Sequence, residues 1–278
     1  MNMSSKLKVK LTGVPQTLML PLYGRAKFSR TPNKFIQDQE AIRLLESIDY
    51  DFSLLEDSLS ELSTLTWAIR AWRFDQALQS YLKKYPEATV VNLGAGLETA
   101  FYRNDNGRLT WIDLDLPEVI ELRKKLFPEN NRVKLLSQSI FDFSWIDQVK
   151  NKGKGVFFMA GGLLFYFNKE QVETIFTKLA ENFNQAEIIF DGMSDRFVKQ
   201  ANKMVSSVNM SDALISWSLT SAKDVTVWHS DIHIVDQVPY FKGAKGMYLK
   251  SPLLFLRLLL SDMRMDAAIY HLRFGEKS

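Results

Sequence analysis

The 278-residue chain has no cysteine. This excludes disulfides, thiolate metal centres and a cysteine nucleophile, and sets the expectation of a cytoplasmic protein. A dominant charge is missing as well: 35 lysines and arginines stand against 32 aspartates and glutamates, a formal net charge of +3 with the signs interspersed. Nucleic acid is therefore not an expected partner. No apolar run reaches membrane-spanning length, so no membrane partner is expected. The run Leu18 to Leu22 is too short, and too broken by Pro15 and Pro21, for a signal peptide. Leu253 to Leu260 is interrupted by Arg257 and reads as a buried helix. Internal repeats and low-complexity tracts are absent. With 46% hydrophobic and 24% charged residues, the composition is that of a globular protein of one large domain, or one domain with a cap.

What is present divides near Pro86. Before it, helical character runs over 35–48, 52–62 and 66–85, and no strand pattern appears before Ala88. After it, strands over 89–93, 109–114, 133–136, 156–159 and 187–190 alternate with helices over 117–127 and 169–183. That alternation predicts an α/β fold with a parallel, doubly wound sheet and a ligand at the carboxyl ends of its strands. Residues 1–85 then form a helical N-terminal cap and 86–278 the sheet domain. The less regular stretch of about 194–252, with Trp217, Trp228 and the turn at Lys242-Gly243-Ala244-Lys245-Gly246, reads as lid and substrate pocket.

The sharpest motif is Val90-Val91-Asn92-Leu93-Gly94-Ala95-Gly96-Leu97-Glu98-Thr99, followed by Trp111-Ile112-Asp113-Leu114-Asp115. An apolar run into a tight Gly-x-Gly turn, then a second run ending in an acid, suits the adenosine half of a cofactor. A dinucleotide fits poorly: Thr99 stands at the third small position, and Glu98, in the first helical turn, would repel a pyrophosphate. S-adenosylmethionine, with its sulfonium, ammonium and no phosphate, suits that carboxylate better. Taken alone, Asp115 reads as a helix N-cap before Pro117. Asp113 alternates with Asp115 and is expected to face outward.

The Gly94 to Thr99 turn, Asp115-Leu116-Pro117-Glu118-Val119, the stretch Ser139 to Trp145 and Gly162-Leu163-Leu164-Phe165-Tyr166 occur in an order and spacing that resemble the leucine carboxyl methyltransferase family, above all its bacterial branch of polyketide O-methyltransferases. The resemblance spans about residues 10–192 and implies a class I methyltransferase fold with S-adenosylmethionine as cofactor. It further implies that Asp115 and Leu116 meet the ribose, that Ser139 and Ile140 meet the adenine, and that Arg70 grips the methionine carboxylate through a bidentate pair, with Arg25 as a second basic ligand. Arg73, one turn away, competes with Arg70. Ser139 stands where an acid is common, and reads otherwise as a turn cap; Phe141, Phe143 and Trp145 read as apolar wall or core. Gly161 stands where many members have a glutamate, which leaves close backbone approach to the cofactor as its role. Tyr166 either points its hydroxyl at the transferred methyl or is a buried tyrosine bonded to backbone.

Methyl transfer from a sulfonium requires alignment and exclusion of water rather than a metal or a covalent nucleophile. A carboxylate acceptor needs no base, whereas a phenol gains from one, and His229 and His233 are the candidates. Their four-residue spacing lies on a run that alternates like a strand over 231–235, so surface or pocket-wall positions are expected rather than metal ligation. Trp217, Trp228, Tyr240 and Phe241 suit a compact apolar pocket for a small carboxylic or phenolic metabolite. The alternatives are a protein C-terminal carboxyl methyltransferase and a cofactor-binding protein without catalysis; a nicotinamide dehydrogenase ranks last. The oligomeric state is open.

Overall fold

A computed structural model describes residues 6–9, 14–31, 35–59, 61–149, 153–207, 213–244 and 252–275. A 3-10 turn at Val14–Leu18 leads into the helices α1 (Met19–Ser29), α2 (Gln39–Ser47), α3 (Ser53–Ser58) and α4 (Glu61–Lys84). Two short strands, β1 (Leu7–Lys8) and β2 (Ile48–Asp49), pair in parallel among them. They correct the expectation of no strand before Ala88; two residues are too few to produce an alternation.

The sheet begins with β3 (Thr89–Leu93), followed by α5 (Ala100–Asn104), β4 (Thr110–Asp115), α6 (Pro117–Leu126), β5 (Val133–Ser137), β6 (Val156–Ala160), α7 (Lys169–Asn182) and β7 (Glu187–Met193). These strands lie in the order β5-β4-β3-β6-β7, all parallel. Both faces of β3 and β6 are covered and every residue in them is buried, yet they still divide by period two. Val91, Leu93, Ile112, Leu114 and Phe158 join α7 residues Val172, Ile175 and Leu179 on one face. Val90, Trp111, Phe157 and Met159 meet Leu65, Ile69, Phe74 and Leu78 of α4 on the other. The helix next to the sheet core on that face therefore comes from the first 85 residues.

Beyond β7 the expected all-parallel sheet is corrected. The chain continues through α8 (Asp195–Ser207), α9 (Lys223–Thr226), β8 (Ile232–Pro239) and α10 (Pro252–Met263) to β9 (Ala267–Phe274). β9 lies antiparallel to β7, with β8 antiparallel outside it, completing a seven-stranded sheet. Among the described residues the stretch 194–252 thus holds α8, α9 and β8. The helix at 253–260 exists, but not as a buried one: Leu253 is 69% exposed and Leu256 50%, while Leu258 and Asp262 are buried. A leucine-rich helix that contacts the core along a single stripe leaves its other leucines in solvent. Among the described residues no helix is long and apolar enough to cross a membrane.

The winding runs outward from β3 through β4 to β5, and from β6 through β7 the other way. β3 and β6 are neighbours at the reversal, which is where such sheets open a crevice at their carboxyl ends.

Candidate functional site

A cavity of about 270 Å³ lies at that reversal. Its walls include the β3 turn (Gly94 to Glu98), the β6 turn (Gly161, Gly162), the end of β7 (Asp191 to Met193) and α4 through Leu62, Trp67, Arg70 and Phe74. Leu18, Leu20, Pro21 and Arg25 of the N-terminal segment close one side, and Phe197, Met204 and Val205 of α8 another.

Gly94 and Gly96 have φ of 62° and 48°, and an added Cβ would stand 2.6 Å from Leu163 and Leu18 respectively. No side chain fits there without movement. Asp115 lies just outside the wall: its Oδ2 accepts from the Gly96 amide at 2.7 Å and its Oδ1 from the Leu116 amide at 2.7 Å. Burial raises its carboxyl above the usual value, while these two amides pull it down. It is not the helix cap, because Pro117 is the first helical residue and Leu116 takes the cap position.

Asp113 corrects the outward assignment. Residues two apart in a strand share a face, and Asp113 is fully buried. It accepts from Asn92 Nδ2 at 2.9 Å, Trp111 Nε1 at 2.8 Å and Arg123 Nη2 at 2.5 Å. Arg123 also donates to the carbonyls of Gly96 at 2.8 Å and Glu98 at 3.2 Å, so it holds the glycine turn from below.

Arg25 is 2% exposed and tied into the protein itself. Its Nε donates to Asp38 at 3.1 Å, its Nη2 to the Leu97 carbonyl at 2.8 Å, and its Nη1 faces Glu98 at 3.2 Å. Asp38, the side-chain cap of α2, also takes Thr99 Oγ1 at 2.6 Å and Arg103 Nη1 at 2.7 Å; Arg103 continues to Asp75 and Glu98. Thr99 is thus a buried link, not a helix-packing substitute for glycine. Burial alone would raise the Glu98 carboxyl, but Arg25 and Arg103 outweigh it and hold the pKa at about 2. The carboxylate expected to face a ligand cation is already paired.

Arg70 and Arg73 separate cleanly. Arg70 lines the cavity, with Nη1 3.2 Å from Asp191 Oδ2. Arg73 turns away, stacks over Trp72 at 4.6 Å and donates to the Lys242 carbonyl. Asp191 is 4% exposed, and its Oδ1 accepts from the Gly162 amide at 2.6 Å. A Cβ at Gly162 (φ 73°) would meet Arg70 Nη1 at 2.5 Å, and one at Gly161 would meet Phe74 at 3.1 Å. The glycine at 161 therefore makes room for Phe74 and Arg70. Tyr166 lines the cavity, and its hydroxyl donates to Thr17 Oγ1 at 3.2 Å, a side-chain partner rather than backbone. Burial raises the phenols of Tyr166 and Tyr240.

Other candidates lie elsewhere. Ser139 Oγ accepts from the Phe141 amide, the Ile140 carbonyl accepts from Trp145 Nε1, and neither residue lines the cavity. Trp145 is core, and Phe141 packs edge-on to Phe167. His229 and His233 are corrected as base candidates. Ile232 opens β8 opposite Phe274, as Glu187 opens β7 opposite Arg273, so both histidines sit at the amino ends of the parallel strands, far from the crevice. His229 precedes the strand, and its Nδ1 accepts from the Asp231 amide at 3.2 Å. Of the four pocket aromatics, only Tyr240 lines the cavity; Trp217 and Trp228 pack with Phe176 in one core face and Phe241 in the other. Lys245 and Gly246 of the expected turn lie outside the described residues.

Asp38, Arg103, Arg123 and Asp191 were not singled out from the sequence. Asp191 ends the apolar run Ile188-Ile189-Phe190, and Asp38 stands just before a helix; both patterns were available signals.

The family model for leucine carboxyl methyltransferase matches residues 19–180. The tetracenomycin polyketide synthesis O-methyltransferase TcmP of Streptomyces glaucescens is 31% identical over 186 residues, 66% of this chain and 68% of that protein. The S-adenosyl-L-methionine-dependent methyltransferase dpfgK of Gibberella zeae is 31% identical over 204 residues, 67% and 68% of the two chains. Among solved structures, a DUF574 family protein from Streptomyces avermitilis superposes with a TM-score of 0.57 at 11% identity, covering 91% of this chain and 97% of that one. The plantazolicin methyltransferase BpumL, solved with S-adenosylhomocysteine (SAH) and a triazolic desmethylPZN analogue, gives 0.51 at 10% identity, covering 95% and 100%. At such identities these two establish the fold alone. The glycine turn at the sheet reversal, the family match over more than half of the chain and the two relatives agree: this chain belongs to the leucine carboxyl methyltransferase family and is an S-adenosylmethionine-dependent methyltransferase of the class I fold.

Proposed function

We propose that the chain methylates an oxygen, carboxyl or hydroxyl, of a small and largely apolar metabolite of polyketide type. One observation carries this reading: the cavity is continuous from the glycine turn and Arg70 to a chamber walled by Leu20, Pro21, Leu62, Trp67, Phe197 and Met204. A cofactor end and an acceptor end thus share one enclosure. The relative TcmP, a polyketide O-methyltransferase, supports the same class of acceptor.

The cofactor's fit rests on the cradle at Gly94 and Gly96, where a Cβ would collide, and on the cavity-facing guanidinium of Arg70. Arg70 would take the methionine carboxylate, Asp115 the ribose hydroxyls, and the edge past β5 at Ser139 and Ile140 the adenine. When bound, S-adenosylmethionine supplies a methyl group on a sulfonium. The protein's share is positional. The N-terminal segment, as cap, and α8, as lid, exclude water, and Tyr166, fixed by Thr17, borders the acceptor end. No histidine lines the cavity, which suits an acceptor that arrives ionised, as a carboxylate does near neutrality.

The test is an acceptor screen with methyl-labelled cofactor. Label transferred to aromatic polyketide acids or phenols supports the reading, and alkaline hydrolysis that frees labelled methanol identifies an ester against a stable ether. Transfer confined to protein carboxyl termini would overturn it.

A further inference from the structure

The reading above leaves the ammonium of the cofactor's amino-acid head without a partner. Resting on that reading, we propose that Asp191 binds this ammonium, so that Arg70 and Asp191 together form a two-charge cradle for the zwitterionic head.

Asp191 follows the apolar run Ile188-Ile189-Phe190 within β7 and is almost fully buried, yet it belongs to the cavity wall. A buried carboxylate of this kind needs compensation. Each of its oxygens has one protein partner, the Gly162 amide on Oδ1 and Arg70 Nη1 on Oδ2. A carboxylate offers about four lone-pair sites, so roughly half of its capacity remains. Arg70 meets it through one Nη1 contact at 3.2 Å instead of a fork, which leaves the other in-plane N–H donors of the guanidinium for a second carboxylate. An α-amino acid head placed against this pair sets anion on cation and cation on anion.

The other acid in the wall is already committed: Glu98 is held between Arg25 and Arg103. Among the described residues Asp191 makes one ion pair, with Arg70, and beside it stand Gly162 and the phenols of Tyr166 and Tyr240, both raised by burial and so protonated near neutrality. The Gly162 bond and the absence of a side chain at 161 and 162 fix the pair in place.

The experiment is calorimetric titration of the full chain and of Asp191→Asn and Asp191→Glu with three ligands: SAH, its analogue lacking the amino group but keeping the carboxylate, and 5′-methylthioadenosine, which lacks the head. The Asn variant is expected to lose about ten- to hundredfold in affinity for SAH, the scale of a hydrogen bond to a charged group, with the other two nearly unchanged. The Glu variant, which keeps the charge, retains a preference for SAH over the deaminated analogue. Equal loss for SAH and the deaminated analogue, or no loss in a folded variant, overturns the proposal by reducing Asp191 to a support for Arg70. If the unaltered protein binds none of the three, it is the cofactor assignment that fails.

Discussion

Asp38→Asn tests whether the N-terminal segment is locked to the glycine turn by charge. Asp38 is fully buried and accepts from Arg25 Nε, Arg103 Nη1, Thr99 Oγ1 and the Ala41 amide. An asparagine keeps one acceptor oxygen for the amide, but its NH₂ would point donors at two guanidinium groups. Removing one partner of a buried ion pair costs about 3–5 kcal/mol. Glu98 still faces Arg25, and Asp75 and Glu98 still face Arg103, so the lower end, about 3 kcal/mol, is expected. For a protein of this size each kcal/mol moves Tm by roughly 2–4 °C, so Tm should fall by roughly 6–12 °C in a scanning-fluorimetry melt. Affinity for S-adenosylmethionine should fall with it, since Arg25 grips the Leu97 carbonyl of the turn. A Tm within about 2 °C of the unaltered protein would refute the reasoning and place the cohesion of this region in its apolar contacts.

Arg70→Lys replaces a planar fork by a point charge and should weaken S-adenosylmethionine binding by about 1.5–3 kcal/mol while sparing 5′-methylthioadenosine; Arg73→Lys, on the Trp72 face outside the cavity, should alter neither titration. Gly96→Val places a branched side chain at φ 48° against Leu18, and equilibrium dialysis should find cofactor binding abolished. Asp115→Ala frees the Gly96 and Leu116 amides and should cost about 1.5–3 kcal/mol in cofactor affinity with the circular dichroism unchanged; full affinity would reduce Asp115 to a brace for the turn. Glu98 has a folded pKa of about 2 against an ordinary 4.5, so its stabilising contribution is complete above pH 4.5 and fades as pH falls toward 2; Tm should drop across that window, and less steeply in Glu98→Gln.

Local signals carried much of this molecule. The five parallel strands are short runs rich in branched aliphatic and aromatic residues between breakers, and the Gly-x-Gly turn at 94–96 needs positive φ that glycine alone supplies without strain. Family resemblance pointed to Arg70, which lines the cavity, and the phase of α4 turns Arg73 onto Trp72 instead. β9 escaped because it pairs antiparallel at the far side of β7, a choice made by the partner strand rather than by its own residues. The histidines misled because four-residue spacing says nothing about which end of a sheet a strand starts from.

By itself the sequence determined the α/β class, the glycine turn and the acid that follows it, since each depends on periodicity or on a backbone conformation confined to a few residues. Which charges meet was decided by tertiary structure alone. Arg25 looked like a ligand for the cofactor and is spent on Asp38 and Glu98; Asp191, 121 positions from Arg70, looked like the end of a strand and completes the cavity wall. Ion pairing in a buried site depends on where distant elements converge, and the reversal of strand order between β3 and β6 brings these there.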